Sequence, residues 1–193
     1  FQIDAGMRLQ GGSSRNPDIP KHSLSLRFRR DYGAGKLQYP LFRDAPFGDT
    51  AVEEFDFLQL RAGFNFAWTH RHYYQARHAQ YNRDQWVNDL YLAMGQPGSH
   101  GRWVHLYLNG LYWGLYHVHE RPDGDFMASY FGGESDDYDA LSSGQAKSGD
   151  TTAWNTMMSI ARGNITSPSQ YAAIQEYLDI DSLIDYMLLN FFV

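Results

Sequence analysis

Asn109-Gly110 sits between two runs of strand-forming residues, Trp103-Val104-His105-Leu106-Tyr107-Leu108 and Tyr112-Trp113-Gly114-Leu115-Tyr116-His117-Val118. Asn-Gly is the dipeptide best suited to the positive φ values of a two-residue turn, whose twist matches that of the flanking strands. The spacing therefore predicts a β-hairpin, and any fold open to this chain must contain it. Alternation across paired strands assigns at least half of its Trp and Tyr residues to core packing; a sugar-binding platform is the alternative use of the same rings.

Other segments add to the hairpin. Gln2 to Leu9 partly alternates and runs into Gly11-Gly12-Ser13-Ser14, which reads as a strand entering a tight turn. From His22 to Arg29, Leu24, Leu26 and Phe28 fall on one face and Ser23, Ser25, Arg27 and Arg29 on the other, the cleanest strand pattern in the chain. Phe55 to Arg61 reads as a buried strand with Ala62-Gly63-Phe64-Asn65 as its exit. Asp84 to Met94 carries Trp86, Val87, Leu90, Tyr91 and Met94 as a helical apolar stripe, closed by Gly95 and Pro97. Beyond Glu120 the chain is rich in Gly, Ser and Asp as far as Asp150, a polar connection with at most short helices. Helices are expected over Thr152 to Arg162, over Ser167 to Leu178 with Pro168 at the start, and over Asp181 to Val193 behind an Asp179/Asp181 cap. Strands first and helices last make an α+β chain rather than alternating βαβ units.

The 193 residues suffice for one well-buried core, and one domain is expected. A formal net charge of -6 repels a phosphate backbone and argues against nucleic acid as a partner. With no cysteine there are no disulfides, thiolate nucleophiles or Cys-type zinc sites. No apolar run reaches the roughly 18 residues needed to span a bilayer, and no signal sequence opens the chain. The start on Phe1 and the end within an apolar helical stretch both read as cuts in a longer chain.

Several segments, in order, resemble the CotH kinase family. They are Gly-Gly-Ser-Ser-Arg (11–15) followed by Lys21 and Ser-Leu-Ser-Leu-Arg-Phe, Tyr-Pro-Leu-Phe (39–42), Leu-Arg-Ala-Gly-Phe-Asn (60–65), Arg-Asp (83–84), Leu-Tyr-Leu-Asn-Gly-Leu-Tyr-Trp-Gly-Leu-Tyr (106–116) and Glu-Arg-Pro-Asp (120–123). The most specific is Asn-Gly-x-Tyr-Trp-Gly-x-Tyr. The resemblance implies a divergent protein-kinase-like fold, with a sheet-rich lobe over 1–119 and the start of a helical lobe over 120–193. It also implies an atypical protein kinase that moves the γ-phosphoryl of ATP, with Mg²⁺ or Mn²⁺, to Ser or Thr of secreted or coat proteins, and a place outside the cell or on the cell or spore surface. In the family, the base and metal ligands come from aspartates in Asp-Trp and Trp-Asp-x-Asp elements after a helix like the last one here. This chain is expected to stop before them and to transfer no phosphate alone.

Phosphoryl transfer asks for positioning and charge neutralisation more than for covalent chemistry. The Gly11 to Ser14 loop would offer backbone donors to phosphate, with Ser14, Arg15 and Lys21 beside it and Lys21 as the clamp; as a mere turn with a solvated lysine it would do neither. The expectation is a cleft between a sheet-rich half and a helical half, holding a triphosphate through Arg15 and Lys21. Arg61 and Asn65 either face that cleft or satisfy local backbone. Asp84 is expected as a helix N-cap, and no inward-facing Glu is evident from Gln85 to Met94 to pair with a phosphate-binding lysine. Glu120 and Asp123 would lie at the hinge between lobes, with Glu120 at the nucleotide.

Other clusters read more plainly. On a helix His70 and His78 would stand about 12 Å apart along the axis, too far for one metal ion to take both directly. Asp136-Asp137-Tyr138-Asp139 lacks the spacing of a calcium loop and reads as an acidic turn. A non-catalytic adhesion or coat-assembly module, binding protein or glycan through its aromatic surface, is the rival to the kinase.

Overall fold

A computed structural model describes residues 1–192, which form two compact units. The first comprises Phe1–Ala93 and Pro97–Arg121, the second Met94–Gln96 and the chain from Pro122 onward.

The first unit is built on five antiparallel strands: β1 (Gly6–Gln10), β2 (Ser23–Arg27), β5 (Phe57–Arg61), β6 (Gly101–Leu108) and β7 (Leu111–His119), in the order β1-β2-β5-β7-β6. The expected hairpin is β6–β7, with Asn109 and Gly110 at φ 50° and 79°. The expected Phe55 to Arg61 strand divides at Asp56. Its first residues form β4 (Glu54–Phe55), paired with β3 (Leu37–Gln38), while the rest joins the large sheet.

Register decides the two faces. Leu24, Leu60 and Val118 are successive partners, and Leu26 pairs with Leu58; this face meets Phe28, Leu37, Phe42 and Phe55 in the core. The other face carries Arg8, Ser25, Gln59, His119 and Gly101 as one cross-strand row. Beside it run Gln10–Ser23 and Arg61–His117–Trp103. A polar face normally goes to water, but Ser25 is 1 % exposed and His117 and His119 are buried. Part of the cover is helix α2 (Arg83–Ala93), preceded by the short α1 (Tyr73–Arg77).

The apolar stripe expected of α2 does not do the packing: no residue of the helix is fully buried, and Trp86 is half exposed. Polar side chains hold it instead. Asp84 pairs with Arg61, Gln85 reaches the Ser99 carbonyl, and Asn88 accepts from the Ser99 N–H at 3.0 Å. A polar sheet face selects a polar helix face. The hairpin also departs from expectation: Tyr107, Tyr112 and Trp113 are exposed and Tyr116 is buried. β5 reaches only His117, Val118 and His119 of β7, so the tip is a two-stranded extension with no core to pack against.

In the second unit, α3 (Gly124–Phe131) is N-capped by Asp123, whose Oδ1 accepts from the Phe126 N–H. The acidic turn is held by its own backbone: Asp137 accepts from the Glu134 N–H at 2.8 Å and Asp139 from the Asp150 N–H at 2.6 Å. A small hairpin, β8 (Ala140–Ser142) and β9 (Gln145–Ser148), leads to α4 (Thr152–Ala161), α5 (Pro168–Gln175) and α6 (Ile180–Phe192). Pro168 opens α5, and Asp179 accepts from the Ser182 N–H at the start of α6. Gln96 joins this unit through Ser182 and Asp185. Among the described residues no helix is long and apolar enough to cross a membrane.

Candidate functional site

At the end of β1 the chain turns through Gly11 and Gly12 into a single 3-10 turn, Ser13–Arg15. Gly11 has φ +116°, and a Cβ there would come within 2.0 Å of Ser14 Oγ. Only glycine lets the serine fold under the turn. The ring Nδ1 of His22 lies 2.8 Å from the Ser14 carbonyl and fixes the turn's far side.

This turn closes one end of a cavity of about 320 Å³. The floor comes from Ser23 and Gln59 on the polar sheet face, and the other end from Arg61 and the Gly63–Asn65 exit. Ser23 is itself held in place, its Oγ accepting from the Ala62 N–H at 3.0 Å. The Arg61 guanidinium forms an ion pair with Asp84 in the first turn of α2, and both side chains are about one-third exposed. A cation fixed this way keeps donors free for an anion while losing little rotamer freedom.

The polar face behind the cavity is chemically unusual. Among the described residues, Gln10 Oε1, His117 Nε2 and His119 Nε2 are buried without a hydrogen-bond partner. The two imidazoles stack with centroids 5.5 Å apart. Burial pushes His117 down to about 4; the nearby Asp84 carboxylate opposes that shift and the Arg61 cation adds to it. His119 is driven well below its ordinary value by burial first, then by Arg61 and His117. Both rings are therefore neutral at pH 7, each with a ring nitrogen still able to bond.

The five residues singled out in the sequence separate. Ser14 and Arg61 line the same cavity. Arg15, at the end of the 3-10 turn, is exposed and not part of the lining. Lys21 is also outside it: its Nζ donates to the Leu115 carbonyl at 2.5 Å and stands 4.5 Å over the Tyr116 ring, on the core-side face of β7. Its partial burial lowers its pKa. Glu120 is 3 % exposed, and its Oε2 accepts from His100 N at 2.8 Å and Nδ1 at 2.9 Å. Asp84 does not cap α2 but follows Arg83 within the first turn. It is the acidic side chain of α2 that pairs with Arg61, one residue before Gln85.

Sequence reasoning missed His117 and His119 as members of a polar face. The signal was there: they alternate with Tyr116 and Val118 on a strand whose partner row holds Gln59 and Arg61.

The family model described as CotH kinase protein matches residues 7–193. The chain belongs to the CotH kinase family. No curated protein matches it. In this CotH-family chain the Asn-Gly-Leu-Tyr-Trp-Gly-Leu-Tyr run forms the β6–β7 turn and the start of β7 down to the buried Tyr116, while the Gly-Gly-Ser-Ser and Leu-Arg-Ala-Gly-Phe-Asn segments meet at the cavity.

Proposed function

We propose that this chain forms the nucleotide-facing part of an atypical protein kinase, which transfers the γ-phosphoryl of ATP to Ser or Thr of exported or coat proteins. The observation that carries the reading is the Arg61–Asp84 pair at the mouth of a cavity closed by a glycine turn. In protein kinases a glycine-rich loop covers the phosphates, and a cation on the third sheet strand pairs with an acidic residue of a helix. Here the glycine turn joins β1 to β2, the cation lies on the next strand of the sheet, and the acid lies on α2.

A triphosphate fits these residues. Arg61 would neutralise phosphate charge, Asp84 would hold the guanidinium in one orientation, and the Gly11–Ser14 turn would bring backbone N–H groups to the anion. The divalent cation is a different matter. Among the described residues no three His, Asp or Glu side chains gather in a way that could hold a metal ion, so no step is assigned to a metal here. Membership of the family supports export and a coat or surface setting.

Titration of ATP into the protein, followed by calorimetry, tests the reading. Arg61→Ala should weaken binding at least tenfold and Asp84→Asn severalfold. Equal affinity of Arg61→Ala and the native protein would remove the cavity from nucleotide binding. The exposed Tyr107, Tyr112 and Trp113 at the hairpin tip favour a second reading, a non-catalytic module that binds protein or glycan. That reading predicts no ATP binding by the native protein and loss of partner binding in Trp113→Ala.

A further inference from the structure

A second cavity, of about 330 Å³, opens at the other end of β1. Arg8, Arg27 and Arg29 line it together with Gly6, Met7 and Tyr32. In β1–β2 Gly6 stands opposite Arg27 and Arg8 opposite Ser25, so alternation brings Arg8 and Arg27 to the same face. Past Phe28 the chain doubles back, with the N–H groups of Tyr32 and Gly33 both bonded to the Arg29 carbonyl at 2.9 and 3.2 Å. That turn lays the Tyr32 ring over Gly6, where a Cβ would come within 2.5 Å of the ring. The wall closes because residue 6 has no side chain.

Arg8 and Arg29, both exposed, bring positive charge to one opening in a chain of net charge -6, which favours an anion there. β1 is also an edge strand of the sheet, and Met7 and Leu9, both half exposed, stand on the face of the strand opposite Arg8. A sheet edge can accept an extended peptide as one more strand.

We propose that a segment of a partner protein lies along β1 and places a phosphorylated Ser or Thr in the cavity. A phosphoryl group brings close to two charges and three acceptor oxygens, which suits several guanidinium forks. A carboxylate brings one charge and two oxygens. A nucleic-acid strand carries its charge along its whole length and meets the net negative protein. The site stands on its own geometry and does not depend on nucleotide binding in the other cavity.

Fluorescence anisotropy with a labelled phosphoserine peptide, apolar at alternate positions, tests this on the whole chain. The phosphopeptide should bind at least tenfold more tightly than its serine counterpart, and Arg8→Ala/Arg29→Ala, both at exposed positions, should lose at least tenfold. A charge-matched control at other exposed sites, Lys147→Ala/Arg162→Ala, should stay within twofold, with unchanged melting temperatures showing that all variants fold. Equal binding of the two peptides refutes the proposal. So does the same loss in the control, which would make net charge the cause. Inorganic phosphate competing at the same concentration as the phosphopeptide would refute the peptide as the source.

Discussion

Replacement of Glu120 by alanine separates a structural from a nucleotide-binding role. The carboxylate is 3 % exposed and accepts two hydrogen bonds from His100, whose side chain is fully buried. His100 Nε2 in turn lies 2.8 Å from Thr50 Oγ1, which reaches the Phe47 carbonyl. The chain of contacts thus ties the end of β7 to the Phe47–Thr50 loop. Glu120→Ala leaves two buried donors, each costing about 1–3 kcal/mol when unsatisfied. A loss of about 2–6 kcal/mol is expected for the two donors together. Glu120→Gln can set its amide oxygen where Oε2 accepts both bonds, losing only their charge assistance, and should lose about 1 kcal/mol. Urea unfolding at pH 7, with midpoint and slope both fitted, measures each variant. In a double-mutant cycle with His100→Ala the two losses should fall well short of adding. A loss under about 1 kcal/mol in Glu120→Ala would refute the reasoning and return Glu120 to the pool of ligand-facing residues.

Further outcomes follow from the same geometry. His117 and His119 fold in neutral form with lowered pKa values, so the unfolded chain binds protons below its ordinary value of 6.5 while folded His117 does so only near 4. Stability should therefore fall as pH drops from about 6.5 toward 4, by roughly 3 kcal/mol for His117 alone, and urea midpoints in His117→Phe should show a flatter pH profile. Gly11→Ala sets a side chain at φ +116° against Ser14 Oγ, so it should cost about 1–3 kcal/mol in urea unfolding and weaken ATP binding as the turn shifts. Lys21→Ala should leave ATP affinity within twofold, because its ammonium is held on the Leu115 carbonyl; a tenfold loss by calorimetry would restore it as the phosphate clamp.

Local chemistry made much of the fold legible in the sequence. Asn109-Gly110 set the hairpin, alternation from Ser23 to Arg27 set a strand, and Pro168 and Asp179 marked helix starts, because each feature acts within a few residues of itself. The fate of individual cations could not be read this way. Lys21 is occupied by a carbonyl 94 positions away on β7, and Arg61 by an acid 23 positions away on α2, pairings that exist only once β7 joins the sheet and α2 packs on its polar face. Strand alternation told which residues share a face, but whether a polar face meets water or a covering helix depends on contacts that no local pattern encodes. Tertiary structure alone therefore kept Ser14 and Arg61 at one cavity, left Arg15 and Lys21 outside it, buried Glu120, and turned His117 and His119 into neutral groups behind the cavity.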